Sequence, residues 1–333
     1  MLNWLKKRSQ LSGLILMYHR INKAGSDPWG LCVRPEHFTD HLEILRQEAV
    51  PLPLQEFVRA SQKGVLPRRA VAITFDDGYA DNLSNAKPML EQFHIPATVF
   101  VTSGYISSKR EFWWDELERI LLRPGELPAT LHLTIRQKAC QWKLGEAAYY
   151  GEEEYRREAN QKAWDGKPGS RHHFYYSVWQ VLRPLTEGER RPVLDTISVW
   201  AGAKSELRES HRPLTGHELQ TLALSDVIEI GSHTVTHLFL SDHSLAVQNE
   251  EIRAGKMQLE KLLDRPVTSF AYPYGDYLKE TLSLVRDAGF LYACTTRKGG
   301  VRRDADCLEL PRVQVEDWTR NEFQKRLWEW FRC

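Results

Sequence analysis

Two adjacent carboxylates are the strongest chemical signal in the sequence. Asp76 and Asp77 follow the apolar run Ala70–Phe75 in "AVAITFDDGYADN" and precede Gly78. Two like charges at the end of a buried strand are costly unless something neutralises one of them. The pair could form a plain turn in which Asp76 caps the next helix. Alternatively, a metal ion could bind one carboxylate and leave the other free to act as a base.

Two histidines are further candidate metal ligands. His233 and His237 follow another apolar run in "IEIGSHTVTHLFL", and their spacing of four predicts that one helical turn points both in the same direction. Because the carboxyl ends of parallel barrel strands meet on one face, we expect them near the carboxylate pair. Two imidazoles and one carboxylate leave coordination positions for water and substrate, which is typical of a hydrolytic metal site.

A third strand end adds a different kind of group. In "SFAYPYGDY", Pro273 and Gly275 impose an unusual backbone conformation after an apolar strand. A free backbone N–H in this turn could donate to a developing oxyanion, a role typically worth roughly 100- to 1000-fold in rate. The alternative is a rigid aromatic turn without a catalytic role.

Together, "TFDDG", "HTVTH" and "YPYG" resemble the first three motifs of the polysaccharide deacetylase family (NodB homology, carbohydrate esterase family four). The resemblance covers roughly residues 12–105 and 215–315. It implies a distorted (β/α) barrel and a metal-dependent deacetylase acting on sugars. By the same resemblance, Asp76 is the catalytic base, the metal ligands are Asp77, His233 and His237, and the backbone N–H of Tyr274 is the oxyanion donor. Zinc is the metal that these ligands favour, and cobalt, nickel or iron would also fit.

The sequence departs from the family pattern at two positions. Ala271 stands where the third motif usually has an arginine that orients the base, and the late strand "LELPRVQV" contains Arg312 but no histidine. These gaps either mark an inactive protein or mean that Arg312 is the base's partner and His19 the general acid. His19 ends the run "LILMYHR", which resembles the early "YH" strand end of the poly-N-acetylglucosamine deacetylase branch. The alternative for His19 is a strand-end histidine bonded to a backbone carbonyl.

The elements that must position these residues alternate between strands and helices. The apolar runs are continuous, as expected for strands covered on both faces. This alternation predicts an α/β fold with a parallel sheet that is closed or partly closed into a barrel. The predicted strands are Leu14–Tyr18, Ala70–Phe75, Ala97–Thr102, Val227–Gly231, Ser269–Tyr272, Leu291–Thr296 and Leu310–Val315. The predicted helices include Pro35–Glu48, Asp81–Phe93, Phe112–Leu122, Thr215–Leu224, Leu245–Leu263 and Tyr277–Ala288.

The alternation breaks between residues 107 and 214, which we interpret as a large, mostly helical insertion. It separates a first part of the barrel, residues 1–106, from a second part with a C-terminal helix, residues 215–333. The insertion contains six of the eleven tryptophans: Trp113, Trp114, Trp142, Trp164, Trp179 and Trp200. These rings either fill a small core of their own or form a lid that stacks on a sugar. The substrate-binding candidates are Trp113, Trp114, Tyr272 and Tyr274.

Composition excludes some partners and indicates a compartment. Lys+Arg 45 against Asp+Glu 44 gives a net charge of +1, without the basic excess of a nucleic-acid-binding protein. No apolar run approaches the roughly 18 residues of a transmembrane helix or forms the core of a signal peptide. Five cysteines without a CxxC spacing agree with a reducing compartment, so we expect a cytoplasmic protein. Leu2, Trp4 and Leu5 beside Lys6–Arg8 could make a peripheral membrane contact.

The predicted activity is removal of an N-acetyl or other small acyl group from a sugar. A cytoplasmic location favours an acetamido sugar of glycan or lipopolysaccharide assembly, linked to a nucleotide or a lipid carrier. Two alternatives remain open at this point. One is a catalytically degenerate sugar-binding protein of the same fold, and the other is an iron oxygenase with two histidines and one carboxylate.

Overall fold

A computed structural model describes residues 11–204, 206–303 and 305–332. In these ranges the strands are β1 (Leu11–Tyr18), β2 (Arg20–Ile21), β3 (Cys32–Val33), β4 (Val50–Pro51), β5 (Ala70–Phe75), β6 (Ala97–Val101), β7 (Gly125–Glu126), β8 (Thr130–Ile135), β9 (Lys138–Lys143), β10 (Tyr149–Tyr150), β11 (Ile228–Ser232), β12 (Ser269–Ala271), β13 (Tyr292–Lys298), β14 (Val301–Arg302) and β15 (Leu310–Gln314). The α-helices are α1 (Pro35–Glu48), α2 (Leu54–Lys63), α3 (Lys87–Phe93), α4 (Trp113–Leu121), α5 (Glu152–Glu158), α6 (Arg171–Leu182), α7 (Glu187–Trp200), α8 (Gly216–Ala223), α9 (Leu245–Leu263), α10 (Lys279–Asp287) and α11 (Arg320–Arg332).

Seven parallel strands close into a barrel. Their order around the barrel is β1, β5, β6, β11, β12, β13 and β15, and β15 pairs again with β1. The pairing of β1 with β5 extends from Gly13 opposite Ala70 to Tyr18 opposite Phe75. Helices α1, α3, α8, α9, α10 and α11 contribute side chains to the apolar layer outside the strands. The predicted (β/α) barrel is therefore confirmed, and all seven predicted strands belong to it.

Alternating side chains of each strand point into the barrel or toward the helices. In β5, Val71, Ile73 and Phe75 pack in the outer layer, whereas Ala70 and Ala72 belong to the cluster inside the barrel. Asp76 is the next residue after Phe75, and the same alternation gives it an inward position. In β1, Leu16 and Tyr18 pack outside while Ile15 lies inside, so that His19 also follows the inward set. This alternation directs polar residues at the strand ends toward one interior space.

The insertion, residues 107–214, has a hydrophobic core built mainly from its own side chains. Helices α4, α6 and α7 surround this core together with the antiparallel hairpin of β8 and β9. The hairpin was not expected from an interpretation as polar helices. Its first strand, "TLHLTI", buries Leu131, Leu133 and Ile135 and exposes the residues between them, the period of two that a strand requires. The division at residues 106 and 214 stays a prediction.

Two expectations concern the chain's surroundings. The predicted membrane-contacting segment around Leu2, Trp4 and Lys6–Arg8 lies outside the described residues. Among the described helices, none combines the length and hydropathy that crossing a bilayer requires. The described cysteines, Cys32, Cys140, Cys294 and Cys307, are free thiols.

Candidate active site

Three buried side chains converge at the carboxyl end of the barrel. Oδ1 of Asp77 lies 3.3 Å from Nε2 of His237 and 3.5 Å from Nε2 of His233. One candidate ligand atom from each residue lies within 4.8 Å of the other two. The structure thus brings together the three residues proposed as metal ligands.

The backbone after β5 explains how two neighbouring carboxylates take different directions. Asp76 continues the inward alternation of the strand, whereas Asp77 and Gly78 have φ values of 77° and 87°. A left-handed conformation is uncommon for a residue with a side chain, and it turns Asp77 away from the direction of its neighbour. At Gly78 a Cβ atom would lie 3.0 Å from Cγ1 of Val101, so the motif needs glycine for space as well as conformation.

His237 reaches the site through a loop and not through a helical turn, so the expectation of a helical turn from His233 to His237 was wrong. Thr234 and His237 both have a positive φ, of 62° and 56°, which curls the chain back toward the barrel axis. Glu251 of α9 holds this loop, because its carboxylate accepts hydrogen bonds from Val235 N at 3.0 Å and Thr236 N at 2.8 Å. The histidine spacing was informative, but its conformational reason was not a helix.

Charges and hydrogen bonds give these side chains the protonation states and orientations that suit binding of a cation. Burial raises the pKa of Asp77, but the facing imidazoles of His233 and His237 outweigh it and hold this pKa well below its usual range. Burial lowers the pKa of His237 more than Asp77 raises it, which favours the neutral ring that a metal needs. Nδ1 of His233 lies 2.8 Å from the carbonyl oxygen of Ala271, which leaves Nε2 directed at the site.

Asp76 is held by Arg312 of β15. The guanidinium donates two hydrogen bonds to the carboxylate, from Nη1 to Oδ1 at 2.7 Å and from Nη2 to Oδ2 at 2.6 Å. Arg312 itself is fixed because Nε donates to the carbonyl of Thr295 at 2.9 Å and Nη1 to Oγ1 of Thr74 at 3.1 Å. Burial raises the pKa of Asp76, but the charge and hydrogen bonds of Arg312 lower it by a larger amount. The pKa of Asp76 is therefore below its ordinary value, and the carboxylate is ionised.

His19 lies in the wall of the same cavity. Its backbone carbonyl accepts a hydrogen bond from Nδ2 of Asn82 at 2.8 Å, which anchors the end of β1. No side chain or carbonyl in the described part of the chain forms a hydrogen bond with the His19 ring. The alternative of a histidine bonded to a backbone carbonyl therefore does not describe this ring.

Tyr274 lies in the turn after β12 with φ 58° and ψ 3°. Its ring centroid is 4.5 Å from that of His237, and its carbonyl accepts a hydrogen bond from Oγ1 of Thr296 at 3.0 Å. The next residue, Gly275, also has a positive φ, and a Cβ there would lie 2.0 Å from the same Oγ1. The sequence "PYG" thus fixes a turn next to the predicted metal ligands.

These residues surround a cavity of about 320 Å³. Barrel residues line part of the cavity. Three tryptophans of the insertion, Trp114, Trp164 and Trp179, line the rest together with Trp29. The lining residues in full are Met17, His19, Trp29, Leu31, Asp76, Asp77, Trp114, Trp164, Trp179, His233, His237, Tyr274, Thr296 and Gln314. Of those not proposed as site residues, Met17 and Gln314 could have been found from strand alternation, since each lies two residues from a site residue on or directly after its strand, whereas Trp29, Leu31 and Thr296 have no signal in the sequence.

Two predicted substrate contacts are not found in the cavity wall. Trp113 is fully buried in the insertion's core, where it packs against Trp179 at 5.9 Å and under the guanidinium of Arg190 at 4.5 Å. Tyr272 has the strand position of Phe270 and faces the outer layer, where its hydroxyl donates to the carbonyl of Leu308 at 3.0 Å. Both residues were therefore wrongly predicted to contact substrate, whereas Trp114 and Tyr274 do line the cavity.

The donor set fits a divalent metal ion. Oδ1 of Asp77 is buried and accepts no hydrogen bond from the described residues, although two imidazole nitrogens face it. One carboxylate oxygen and two imidazole nitrogens suit zinc and several other transition metals. Buried ionised oxygens without a donor are costly, and a cation at this point would remove that cost.

Comparison with known proteins gives a consistent result. A family model described as polysaccharide deacetylase matches residues 63–132 and 196–293, about half of the chain. The matched ranges leave out residues 133–195 of the insertion, as well as His19 and Arg312.

Individual relatives are similar over different shares of their length. The chain is 22% identical to YxkH of Bacillus subtilis over 314 residues, which are 94% of this chain and 74% of YxkH. It is 33% identical to a poly-beta-1,6-N-acetyl-D-glucosamine N-deacetylase of Staphylococcus epidermidis over 117 residues, 31% of this chain and 40% of that protein. Matching residues thus span less than half of the staphylococcal relative.

Among solved structures, the fold is similar to the Streptococcus pyogenes deacetylase PplD in complex with acetate, with a TM-score of 0.58 and 19% identity. That match covers 96% of this chain and 97% of PplD. IcaB from Ammonifex degensii gives a TM-score of 0.58 at 18% identity and covers 98% and 99% of the two chains. The likeness at this identity concerns the fold.

Proposed function

The chain belongs to the polysaccharide deacetylase family, and from this premise we propose that it is a metal-dependent hydrolase that removes an N-acetyl or other small acyl group from a sugar. Family membership makes it a carbohydrate deacetylase; the metal, the sugar and the residue roles are our proposal. One observation carries it: three buried candidate ligands, Asp77, His233 and His237, lie in one cavity with the ionised Asp76. When bound to these ligands, a divalent metal supplies Lewis acidity that makes water acidic enough to lose a proton at neutral pH.

The protein's own groups have separate roles in this proposal. Asp76 accepts a proton from the attacking water. It can do so because Arg312 keeps the Asp76 carboxylate ionised and oriented, and because this carboxylate is not one of the metal ligands. The backbone N–H of Tyr274 donates to the oxyanion that forms on the acyl carbon. His19 donates a proton to the leaving amine, which is a poor leaving group without it.

This assignment accounts for both departures from the family pattern. The arginine absent at Ala271 is replaced by Arg312 from β15, which forms a two-point ion pair with Asp76 at 2.6 and 2.7 Å. The late histidine is replaced by His19 from β1, the strand that pairs with both β5 and β15. The alternative of a catalytically degenerate protein rested on the missing arginine and the missing histidine. Because Arg312 and His19 can take these two roles, that alternative loses its main support. The oxygenase alternative has no support from the family.

The cavity favours a compact substrate. A volume of about 320 Å³ is at the lower end for ligand pockets, and indoles such as Trp29, Trp164 and Trp179 offer apolar faces to sugar rings. These features support a single acetamido sugar, or the end of a chain, attached to a nucleotide or a lipid carrier. With the cysteine usage, we place this substrate in cytoplasmic glycan or lipopolysaccharide assembly.

A release assay tests the proposal. Purified protein with one equivalent of zinc is incubated with nucleotide-linked and lipid-linked acetamido sugars and with short β-1,6-linked N-acetylglucosamine oligomers, and acetate is measured. We expect release from at least one nucleotide- or lipid-linked sugar, at a rate that falls by roughly 100-fold or more in Asp76→Asn. Release from the oligomers alone would refute the compact carrier-linked substrate, and metal-loaded protein that binds these sugars without releasing acetate would support the degenerate alternative.

A further inference from the structure

The two candidate histidine ligands are held in different ways. His233 is oriented by a hydrogen-bond interaction between its Nδ1 and the carbonyl of Ala271 at 2.8 Å. Nδ1 of His237 is buried, and no group among the described residues forms a hydrogen bond with it. Metal-binding histidines almost always use their second nitrogen to fix the ring, so the orientation of His237 needs another physical basis.

Aromatic rings surround His237 instead. The centroid of Trp114 lies 4.6 Å from the imidazole centroid at an interplanar angle of 54°. Tyr274 lies 4.5 Å away at 80°, and His233 lies 4.8 Å away at 71°. Of these, Trp114 alone belongs to the insertion, and the rest come from the barrel's own loops.

Trp114 is itself rigidly placed by buried hydrogen bonds. Its Nε1 donates to the hydroxyl of Tyr79 at 2.9 Å, and that hydroxyl donates to Oδ2 of Asp115 at 2.7 Å. Phe112 stacks on the indole at 4.9 Å with an interplanar angle of 9°. The side chains of Tyr79, Trp114 and Asp115 are buried, so that rotating the indole would break these bonds away from water.

Tyr79 also joins the insertion to the loop that carries Asp77. It comes two residues after Asp77 and forms a backbone bridge with Pro213, near the end of the insertion. Leu214 N donates to the carbonyl of Gly78 at 3.0 Å. Tyr79, two residues after Asp77, therefore contacts the insertion twice, through its hydroxyl at Trp114 and Asp115 and through its backbone at Pro213.

We infer that Trp114 is a positioning residue for His237, and that Tyr79 and Asp115 hold Trp114 in place. This inference rests on the metal site of the proposed function. It means that the insertion contributes to metal affinity although it supplies no ligand. It also gives a reason why Trp114, in the first turn of α4, packs directly against the barrel loop of His237.

Metal affinity is the measurement that tests this inference. Zinc dissociation constants are determined by competition with a chromophoric chelator for wild type, Tyr79→Phe and Trp114→Leu. Changing groups that orient a ligand typically costs roughly 10- to 100-fold in affinity, and we expect a loss of this size in both variants. Trp114→Phe keeps a ring but no N–H, so it should recover part of the affinity lost in Trp114→Leu.

Tyr150→Phe is the matched control, because the Tyr150 hydroxyl, like that of Tyr79, donates to a carboxylate of the insertion, here that of Glu158 at 3.2 Å. We expect it to bind zinc within about twofold of wild type. An equal loss in Tyr150→Phe, or wild-type affinity in folded Tyr79→Phe and Trp114→Leu, would overturn the inference. His233→Ala distinguishes failure of the metal site from failure of the positioning role. If His233→Ala binds zinc like wild type, the metal site of the proposed function is wrong. If His233→Ala loses zinc while Tyr79→Phe and Trp114→Leu retain it, only the positioning role is wrong.

Discussion

The barrel and the insertion line one cavity with different kinds of side chain. The barrel strands and their loops supply every ionisable group in the cavity wall, including Asp76, Asp77 and His19. The insertion supplies indoles, among them Trp164 and Trp179. The family model matches the motif loops of the barrel but leaves out residues 133–195 of the insertion. From this difference we propose that the barrel determines the reaction type and that the insertion contributes to substrate choice.

The two parts also stabilise their contributions differently. Ionisable side chains of the barrel are fixed by direct polar contacts, as in the pair of Arg312 with Asp76 and the contact of His233 with the carbonyl of Ala271. Two of the cavity-lining indoles are fixed by tyrosine hydroxyls across the boundary between the two parts: Nε1 of Trp29 donates to the hydroxyl of Tyr175 at 2.7 Å, and Nε1 of Trp114 to that of Tyr79 at 2.9 Å. Since the indole N–H is occupied in this way, such a ring presents its apolar face to a ligand. If this division is correct, substitutions of barrel groups should reduce turnover far more than substitutions in the insertion.

The largest effect is expected at Asp77. Because it is one of the three candidate ligands found among the described residues, Asp77→Asn should remove most of the bound metal and reduce turnover by more than the roughly 10- to 100-fold that loss of a ligand's orienting partner costs. Asp76→Asn should keep the metal and reduce turnover by roughly 100-fold or more, because it removes a base. Metal content by atomic spectroscopy, with acetate release, checks both. An empty site in Asp76→Asn alone would reverse the two roles.

A comparable but more selective effect is expected at His19. His19→Ala should leave folding and metal content nearly unchanged and lower kcat on an acetamido sugar by about 100-fold or more. The loss should be much smaller for an activated acetyl ester, whose leaving group needs no proton. Parallel kinetics with the two substrates measure the difference. Near-wild-type acetate release would move the acid to another group.

A smaller effect is expected in the insertion. Trp164 is 53% exposed at the cavity edge, so Trp164→Ala should fold normally and raise KM by roughly 5- to 10-fold with little change in kcat, as loss of about 1 kcal/mol of ring stacking predicts. Steady-state kinetics and thermal melting check this. In the control Trp113→Phe, a buried ring that does not line the cavity, stability should fall and KM should stay constant. An unchanged KM in Trp164→Ala would show that this ring does not contact the substrate.

Sequence patterns predicted the parts of the site that depend on strand ends. Asp76 and His233 follow apolar runs directly, and parallel closure of the barrel brings such ends together. The same alternation would have excluded Tyr272, because it shares the outward position of Phe270 in β12. His237 was placed near the site, but its loop depends on two left-handed residues that a spacing of four does not encode.

Tertiary packing determined what the sequence did not predict. Trp29 carries no motif, and it reaches the cavity because its ring packs against Trp179 at 4.5 Å and its N–H is bound by Tyr175. Interpreting the insertion as polar helices overlooked the alternation of Leu131 and Leu133 in β8. The six insertion tryptophans look alike in sequence, yet some line the cavity and others, such as Trp113, fill the core.

His41 lies in a helix outside the barrel, away from the cavity, and its substitution should change stability but leave turnover unchanged. His41 of α1 is buried, with Nδ1 3.3 Å from the hydroxyl of Tyr18 and Nε2 2.8 Å from the carbonyl of Trp318. Burial lowers its pKa to about 4, compared with about 6.5 in an unfolded chain. Between these values the unfolded state binds the proton and the folded state does not, so the free energy of unfolding falls as the pH falls from about 6.5 to 4. The loss reaches up to about 3 kcal/mol at pH 4. Urea titrations of wild type and His41→Gln at pH 7, 5.5 and 4 measure it: the advantage of wild type over the variant should shrink across this range, and a constant difference between them would show that His41 does not titrate in this way.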